Sequence, residues 1–213
     1  MIVLVGGEKG GSGKSCLAQN LAVYFKTNYP GEVLLVDCDP QRTTSDWIQE
    51  RKDNNKLTPI NCVQLYGNIR EDLLSLKNRY EFVVVDCGGQ DNRALRSTMS
   101  VASHALIPLR PKRRDLKTLP HMEDIISTCK MVNPTLKAAV VMTQCPSLPN
   151  QVRRILEAKE VCQSFCVDVL ESIIYSRNVY DDSEEKGLSV MEIEPDGKAA
   201  EEIRGIAKEF LQL

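Results

Sequence analysis

The chain has 213 residues, of which 42% are hydrophobic and 26% charged, and its formal net charge is −2 at pH 7. This composition is that of an ordinary globular protein and excludes a collagen-like or low-complexity chain. No apolar run reaches the roughly 18 residues that a membrane span requires, and the N-terminus lacks the segment order of a signal peptide. We therefore expect a cytoplasmic protein folded as one domain over residues 1–213.

Apolar segments alternate with amphipathic segments along the whole chain. The apolar segments are continuous runs, which is typical of strands buried on both faces of a parallel sheet. The predicted strands cover residues 2–5, 33–36, 82–85, 105–109, 138–142 and 167–174. The predicted helices cover residues 16–26, 43–51, 69–76, 116–131, 149–164 and 197–213. This alternation predicts an α/β fold, a doubly wound and mostly parallel sheet flanked by helices.

A glycine-rich segment, EKGGSGKS at residues 8–15, joins the first predicted strand to the first helix. Its glycines let the backbone turn tightly and direct N–H groups at phosphate oxygens, and the helix start adds a positive dipole end. Lys14 is expected to neutralise the β- and γ-phosphates, and Ser15 to ligate Mg²⁺. Glu8 departs from the general phosphate-loop pattern, but the variant K-G-G-x-G-K-[ST] is matched completely. The predicted nucleotide-binding residues here are Gly10, Gly11, Ser12, Gly13, Lys14, Ser15 and Cys16.

Carboxylates follow two further predicted strands. Asp37 and Asp39 end the second strand in the segment DCDPQ, and Asp86 ends the strand FVVV. Because the carboxyl ends of parallel strands meet at one edge of a sheet, these side chains are expected beside the glycine-rich loop. Carboxylates there can hold Mg²⁺ through water and orient an attacking water. Gly88 and Gly89 follow, where a segment that senses the γ-phosphate would lie.

These motifs together resemble the ParA/MinD family of deviant-Walker ATPases, and most closely its short ParA partition members. The matching segments are KGGSGKS at 9–15, DCDPQ at 37–41, VVVDCGG at 83–89, IPLRP at 107–111, YSRN at 175–178 and GLSV at 187–190. The resemblance implies a P-loop ATPase that uses ATP and Mg²⁺. It also implies a homodimer in the ATP-bound state, nonspecific DNA binding and a centromere-binding partner protein that stimulates hydrolysis.

The resemblance also implies roles for individual residues. Lys9 matches the signature lysine that reaches the nucleotide of the partner subunit, and Lys14 the phosphate lysine. Asp39 matches the carboxylate that positions the hydrolytic water. Ser15, Asp37 and Asp86 match the surroundings of Mg²⁺. Arg177 and Asn178 lie in the segment that lines the adenine. No role is assigned to Glu8 or Asp115.

Three alternatives remain beside a DNA-partition ATPase. A MinD-like membrane-positioning ATPase would end in an amphipathic membrane helix, whereas the last segment here has mixed charge. An iron–sulfur carrier of the wider superfamily would need paired thiols, for which Cys87 and Cys129 are the nearest candidates. ParA-like ATPases of conjugation or of protein-cargo positioning share every motif.

Two compositional features carry less information. The 8 cysteines, which include Cys162 and Cys166, contain no C-x-x-C pair, so we interpret them as free structural thiols. Basic residues cluster in one loop, which is compatible with weak DNA contact or with a solvated surface. That cluster comprises Arg110, Lys112, Arg113, Arg114 and Lys117.

Overall fold

A computed structural model describes residues 1–89, 93–165 and 167–213 of the chain. Its sheet has 7 strands in the order β3-β2-β4-β1-β5-β6-β7, and all of the paired strands are parallel. The strands are β1 Ile2–Val5, β2 Val33–Asp37, β3 Asn61–Gln64, β4 Phe82–Asp86, β5 His104–Leu109, β6 Lys137–Cys145 and β7 Asp168–Tyr175. The predicted fold class, a doubly wound parallel sheet flanked by helices, is confirmed.

Helices connect the strands on both faces of this sheet. They are α1 Lys14–Asn28, α2 Thr43–Lys52, α3 Arg70–Lys77, α4 Arg93–Met99, α5 Arg113–Leu116, α6 Leu119–Val132, α7 Val152–Ser164, α8 Asn178–Glu184, α9 Val190–Ile193 and α10 Lys198–Leu211. A short 3₁₀ helix, Pro149–Gln151, precedes α7. None of the helices in the described part of the chain is long and apolar enough to cross a membrane.

The continuous apolar strands have a direct structural explanation. Along β1, Ile2 and Leu4 pack into one core cluster, while Val3 and Val5 pack into the other on the opposite face. Successive strand residues point to opposite faces, so a strand covered on both faces needs an apolar side chain at every position. β1 is the central strand and is buried at every position, and its carboxyl end leads into the glycine-rich loop.

The structure differs from the predicted elements in a few places. β3 was not predicted because it is an edge strand whose residues are largely exposed and polar. The helix predicted over 116–131 is broken, and α6 begins anew with proline in its first turn. Pro120 has no backbone N–H to donate and is tolerated only at such a helix start. The short helices α8 and α9 were missed because they carry few buried apolar residues.

The cysteines behave as the sequence suggested wherever they can be followed. No disulfide joins any two of the seven cysteines in the described ranges, and burial raises the pKa of Cys16, Cys62, Cys145 and Cys162 to about 12. Such thiols are poor nucleophiles and poor metal ligands at neutral pH. Cys166 lies outside the described residues.

Candidate nucleotide-binding site

The glycine-rich loop folds back on itself between β1 and α1. Gly11 and Gly13 have φ angles of 70° and 83°, a left-handed region that glycine adopts without the steric cost of a Cβ. The Lys14 ammonium donates to the Lys9 carbonyl at 2.7 Å, and the Ser12 hydroxyl donates to the same oxygen at 3.2 Å. These bonds close the loop around the start of α1, with its backbone N–H groups available to an anion.

Lys14 is the buried cation of this loop, with a relative exposure of 7%. Burial lowers the pKa of Lys14, and the neighbouring carboxylates Asp86 and Asp39 act in the opposite direction. A desolvated ammonium interacts strongly with a phosphate group because little water screens the pair. The position of Lys14 therefore suits its predicted role at the phosphates.

Two residues at the end of β6 support the loop from outside. The Thr143 hydroxyl donates to the Ser12 carbonyl at 2.8 Å, and the Gln144 amide donates to the Gly11 carbonyl at 2.9 Å. Gln144 itself has a left-handed φ of 47°. Sequence reasoning missed this support. Their position after a buried strand at the carboxyl edge of the sheet was the one available signal.

Asp86 lies at the carboxyl end of β4, beside β1. The Thr44 hydroxyl donates to its Oδ2 at 2.7 Å, but its Oδ1 is buried and has no hydrogen-bond partner within the described chain. Burial raises the pKa of Asp86 to about 6, and the hydrogen bond from Thr44 and the nearby Ser15 hydroxyl oppose that shift. An orphaned carboxylate oxygen next to a serine hydroxyl is a donor set that a hard cation such as Mg²⁺ prefers.

Asp37 pairs in register with Asp86 but has its hydrogen bonds already filled. Its Oδ1 accepts from the Asp39 backbone at 3.0 Å, and its Oδ2 accepts from the backbone and the hydroxyl of Ser45 at 2.8 and 2.6 Å. Asp37 thus fixes the start of α2 to the end of β2. Its predicted place next to Mg²⁺ stays a prediction, and these bonds favour a supporting role.

Asp39 lines the open part of the site together with the paired glycines that follow β4. Its Oδ1 accepts from the Gln41 backbone at 2.9 Å. A Cβ on Gly88 would lie 2.8 Å from the Asp39 Oδ2, and a Cβ on Gly89 would lie 2.9 Å from the Gly10 nitrogen. Both glycines are therefore needed for the close approach of this segment to the phosphate loop and to Asp39.

The loop, Asp39 and the end of β7 line one cleft with a volume of about 890 Å³, a size suited to a small-molecule ligand. Just after β7, Arg177 is held by Glu202 at 2.6 Å and lies over the Tyr175 ring at 5.4 Å. Cys16 and Arg177 line the cleft, while Asn178 begins α8 beside it. Lys9, in the same loop, is half-buried.

The two residues without an assigned role both contact other side chains. Glu8 Oε1 lies within hydrogen-bond distance of Nδ1 of His121 in α6, and Asp115 forms an ion pair with Arg110 at 2.7 Å. Arg110 is thereby removed from the predicted basic cluster, whereas Lys112, Arg113, Arg114 and Lys117 are exposed. The acid at position 8 is thus partnered by a side chain 113 residues further along the chain.

Comparison with known proteins places this cleft in context. Residues 3–190 match the family described as CobQ/CobB/MinD/ParA nucleotide binding domain. Maintenance of carboxysome distribution protein A from Halothiobacillus neapolitanus is 29% identical over 209 residues, which cover 95% of this chain and 93% of that protein. Chromosome partitioning protein ParA from Myxococcus xanthus is 25% identical over 218 residues, which cover 84% of this chain and 76% of that protein.

A solved structure confirms the architecture. A Borrelia burgdorferi B31 protein named for plasmid partition, bound to AMPPNP, superposes on this chain with a TM-score of 0.74. The match covers 99% of this chain and 98% of that protein, at 17% sequence identity. At this identity the superposition establishes the fold, while the roles of individual residues depend on the geometry described above.

Proposed function

Because the chain belongs to the CobQ/CobB/MinD/ParA family of nucleotide-binding domains, as its motifs predicted, we propose that it is an ATPase that positions or partitions a cargo by cycling between ATP-bound and ADP-bound states. The observation that carries the proposal is that Lys14, Ser15 and Asp39 line one cleft, with the buried carboxylate of Asp86 close to Lys14 and Ser15. Each contributes a group that phosphoryl transfer to water requires: a cation, a hydroxyl ligand, a carboxylate near the water and a carboxylate near the metal.

The residues divide the work along the cleft. Lys14 and the loop N–H groups bind the phosphates and place them at the start of α1. Ser15 and the unpartnered oxygen of Asp86 would hold Mg²⁺, which when bound neutralises developing charge on the phosphates. Asp39, held by the Gln41 backbone, orients the attacking water. Arg177 and the Tyr175 ring bound the opposite end, where the predicted adenine contacts would lie.

Lys9 is the residue through which ATP is proposed to control dimerisation. Its carbonyl closes the loop by accepting from Lys14 and Ser12, while its side chain is half-buried and so partly open to solvent. A partly exposed lysine beside the phosphate loop could reach the nucleotide of a second subunit and stabilise the charge that develops there. ATP would then hold two subunits together, and hydrolysis would release them.

The identity of the cargo is the finer part of the proposal. DNA partition, with nonspecific DNA as track and a centromere-binding partner, is the first candidate, supported by the exposed basic residues 112–114 and 117. Protein-cargo positioning is the second. It is favoured by the relative named for carboxysome distribution, which is similar over 95% of this chain. Both candidates need the same ATP-dependent dimer.

The structure weighs against a MinD-like use of the last helix at a membrane. The apolar face of α10, which includes Ile203, Ile206 and Phe210, is buried in one of the two core clusters. An amphipathic membrane helix must present such a face to lipid. The helix instead completes the domain.

Light scattering and DNA co-sedimentation with ATP and with ADP test the proposal. The wild-type chain should dimerise with ATP and turn it over. Asp39→Ala should bind ATP, hydrolyse it poorly and persist as a dimer, while Lys9→Ala should remain monomeric yet keep some nucleotide. Normal turnover in Asp39→Ala, or normal dimerisation in Lys9→Ala, would contradict the assigned roles. ATP-dependent binding to DNA supports the first cargo candidate, and a dimer that ignores DNA opposes it.

A further inference from the structure

Arg110 and Asp115 form an ion pair next to the phosphate loop that no part of the proposed mechanism uses. We propose that Arg110 is a third cation of the triphosphate site, that Asp115 is its positioning residue, and that the pair makes the site favour a nucleoside triphosphate over the diphosphate. The inference rests on the proposed nucleotide-binding function and concerns its selectivity.

The contact between the two side chains fixes the orientation of the guanidinium. Arg110 Nε donates to Asp115 Oδ2 at 2.7 Å, and Nη2 donates to Oδ1 at 3.1 Å. The backbone N–H of Arg110 also points at Oδ2, at 3.4 Å. The Asp115 side chain is 1% exposed. A bidentate ion pair with a buried carboxylate leaves the guanidinium little freedom to rotate.

The guanidinium so held lies against the first two glycines of the phosphate loop. Its Nη2 is 3.5 Å from the Gly10 carbonyl oxygen, and its Nη1 is 3.7 Å from where a Cβ on Gly11 would be. The Arg110 side chain remains 19% exposed. Asp115 therefore binds the edge of the guanidinium group formed by Nε and Nη2, while the group as a whole stays next to the loop.

This position corresponds to the end of the cleft where hydrolysis would occur. Gly10 is the residue that Gly89 approaches most closely, and Gly88 in turn approaches Asp39. In the sheet, β2, which leads to Asp39, and β7, which leads to Tyr175 and Arg177, lie on opposite sides of β1. A cation on Gly10 and Gly11 therefore lies nearer to the terminal phosphate of a bound triphosphate than to its base.

The electrostatics of the loop agree with this placement. The charge of Arg110 contributes to lowering the pKa of Lys14, in addition to the larger effect of burial. Two cations that act on each other across one loop also act on an anion bound between them. The terminal phosphate adds negative charge at the Arg110 end, so removal of Arg110 should weaken the triphosphate more than the diphosphate.

Affinities of the full-length chain for ATP and ADP, both with Mg²⁺, test the inference by competition against a fluorescent nucleotide. Arg110→Gln should weaken ATP binding by about tenfold and ADP binding by less than about threefold. Arg110→Lys keeps the charge and should recover part of the selectivity. Arg79→Gln, which removes an exposed arginine between α3 and β4, is the matched control and should change neither affinity.

Asp115→Asn separates positioning from structure. If Asp115 acts through Arg110, the Asp115→Asn variant should have a lower ratio of ATP affinity to ADP affinity. The double variant Arg110→Gln/Asp115→Asn should then show no further loss beyond that of Arg110→Gln. The double variant leaves no buried charge unpaired, so it also keeps the test meaningful if Asp115→Asn alone folds poorly. Thermal melts accompany each variant.

The outcomes are distinguishable. An unchanged ATP/ADP ratio in Arg110→Gln, or an equal loss for both nucleotides, overturns the inference. A wild-type chain that binds ATP but neither hydrolyses it nor dimerises contradicts the proposed function and leaves the ratio to decide about Arg110 alone. A wild-type chain that binds neither nucleotide overturns both.

Discussion

Asp86, which we assign to the Mg²⁺ site, is predicted to lower the free energy of unfolding when its buried carboxylate is ionised. Its carboxylate is fully buried, and burial raises its pKa from 3.8 to about 6. The folded chain therefore binds this proton more tightly than the unfolded chain does. Between pH 4 and pH 6, an increasing fraction of the folded chains must bury an ionised carboxylate. The free energy of unfolding therefore falls as the pH rises through this window.

The magnitude follows from the size of the shift. A difference of about two pKa units corresponds to about 3 kcal/mol at 1.36 kcal/mol per unit. Asp86→Asn removes the charge at every pH and keeps the shape, and its oxygen can still accept from Thr44. Its amide N–H groups would lie where Oδ1 has no partner in the described chain, which costs about 1–3 kcal/mol at all pH values.

The two effects separate in a pH series. Urea unfolding of the chain, without nucleotide and in the presence of a chelator, should be measured from pH 4.5 to pH 7.5. Across this range the free energy of unfolding of the wild type should fall, relative to that of Asp86→Asn, by most of about 3 kcal/mol. In a separate assay, Asp86→Asn should lose Mg²⁺-dependent ATP hydrolysis. Asp182→Asn, at an exposed position in α8, controls for a change of one charge. Parallel pH profiles for wild type and Asp86→Asn would refute the reasoning.

Further predictions concern residues that lie against the phosphate loop or that hydrogen-bond to Asp86. Gly89→Ala places a Cβ 2.9 Å from the Gly10 nitrogen, so we expect about a tenfold or greater loss of nucleotide affinity in a competition assay. Gly205→Ala in α10 should leave affinity unchanged, and equal affinity in both variants would contradict this account. Thr44→Val removes the hydrogen bond that lowers the pKa of Asp86, so the acid limb of the ATPase pH profile should move to higher pH. Thr135→Val at an exposed site should not move it, and an unmoved limb in Thr44→Val would argue against control of Asp86 by Thr44.

The sequence alone was sufficient for the parts of this protein that are local or that follow from strand direction. EKGGSGKS could be recognised because its glycines, lysine and serine act within eight consecutive residues. Asp37, Asp39 and Asp86 could be placed beside that loop because parallel strands all end at the same sheet edge. Strands buried on both faces are apolar throughout, so β1, β2, β4, β5 and β6 were visible as continuous apolar runs. The partly exposed edge strand β7 was visible from its apolar residues, and the exposed, polar edge strand β3 was missed.

Only the tertiary structure decided which side chains complete the site. Thr44 contacts Asp86 across 42 residues, Gln144 contacts Gly11 across 133, and Glu8 contacts His121 across 113. No periodicity or spacing signals such contacts, because each depends on how separate loops meet at the sheet edge. Arg110 shows the same limit. From the sequence it belonged to a basic loop, and only the tertiary structure shows its pair with the buried carboxylate of Asp115 and its contact with the Gly10 carbonyl.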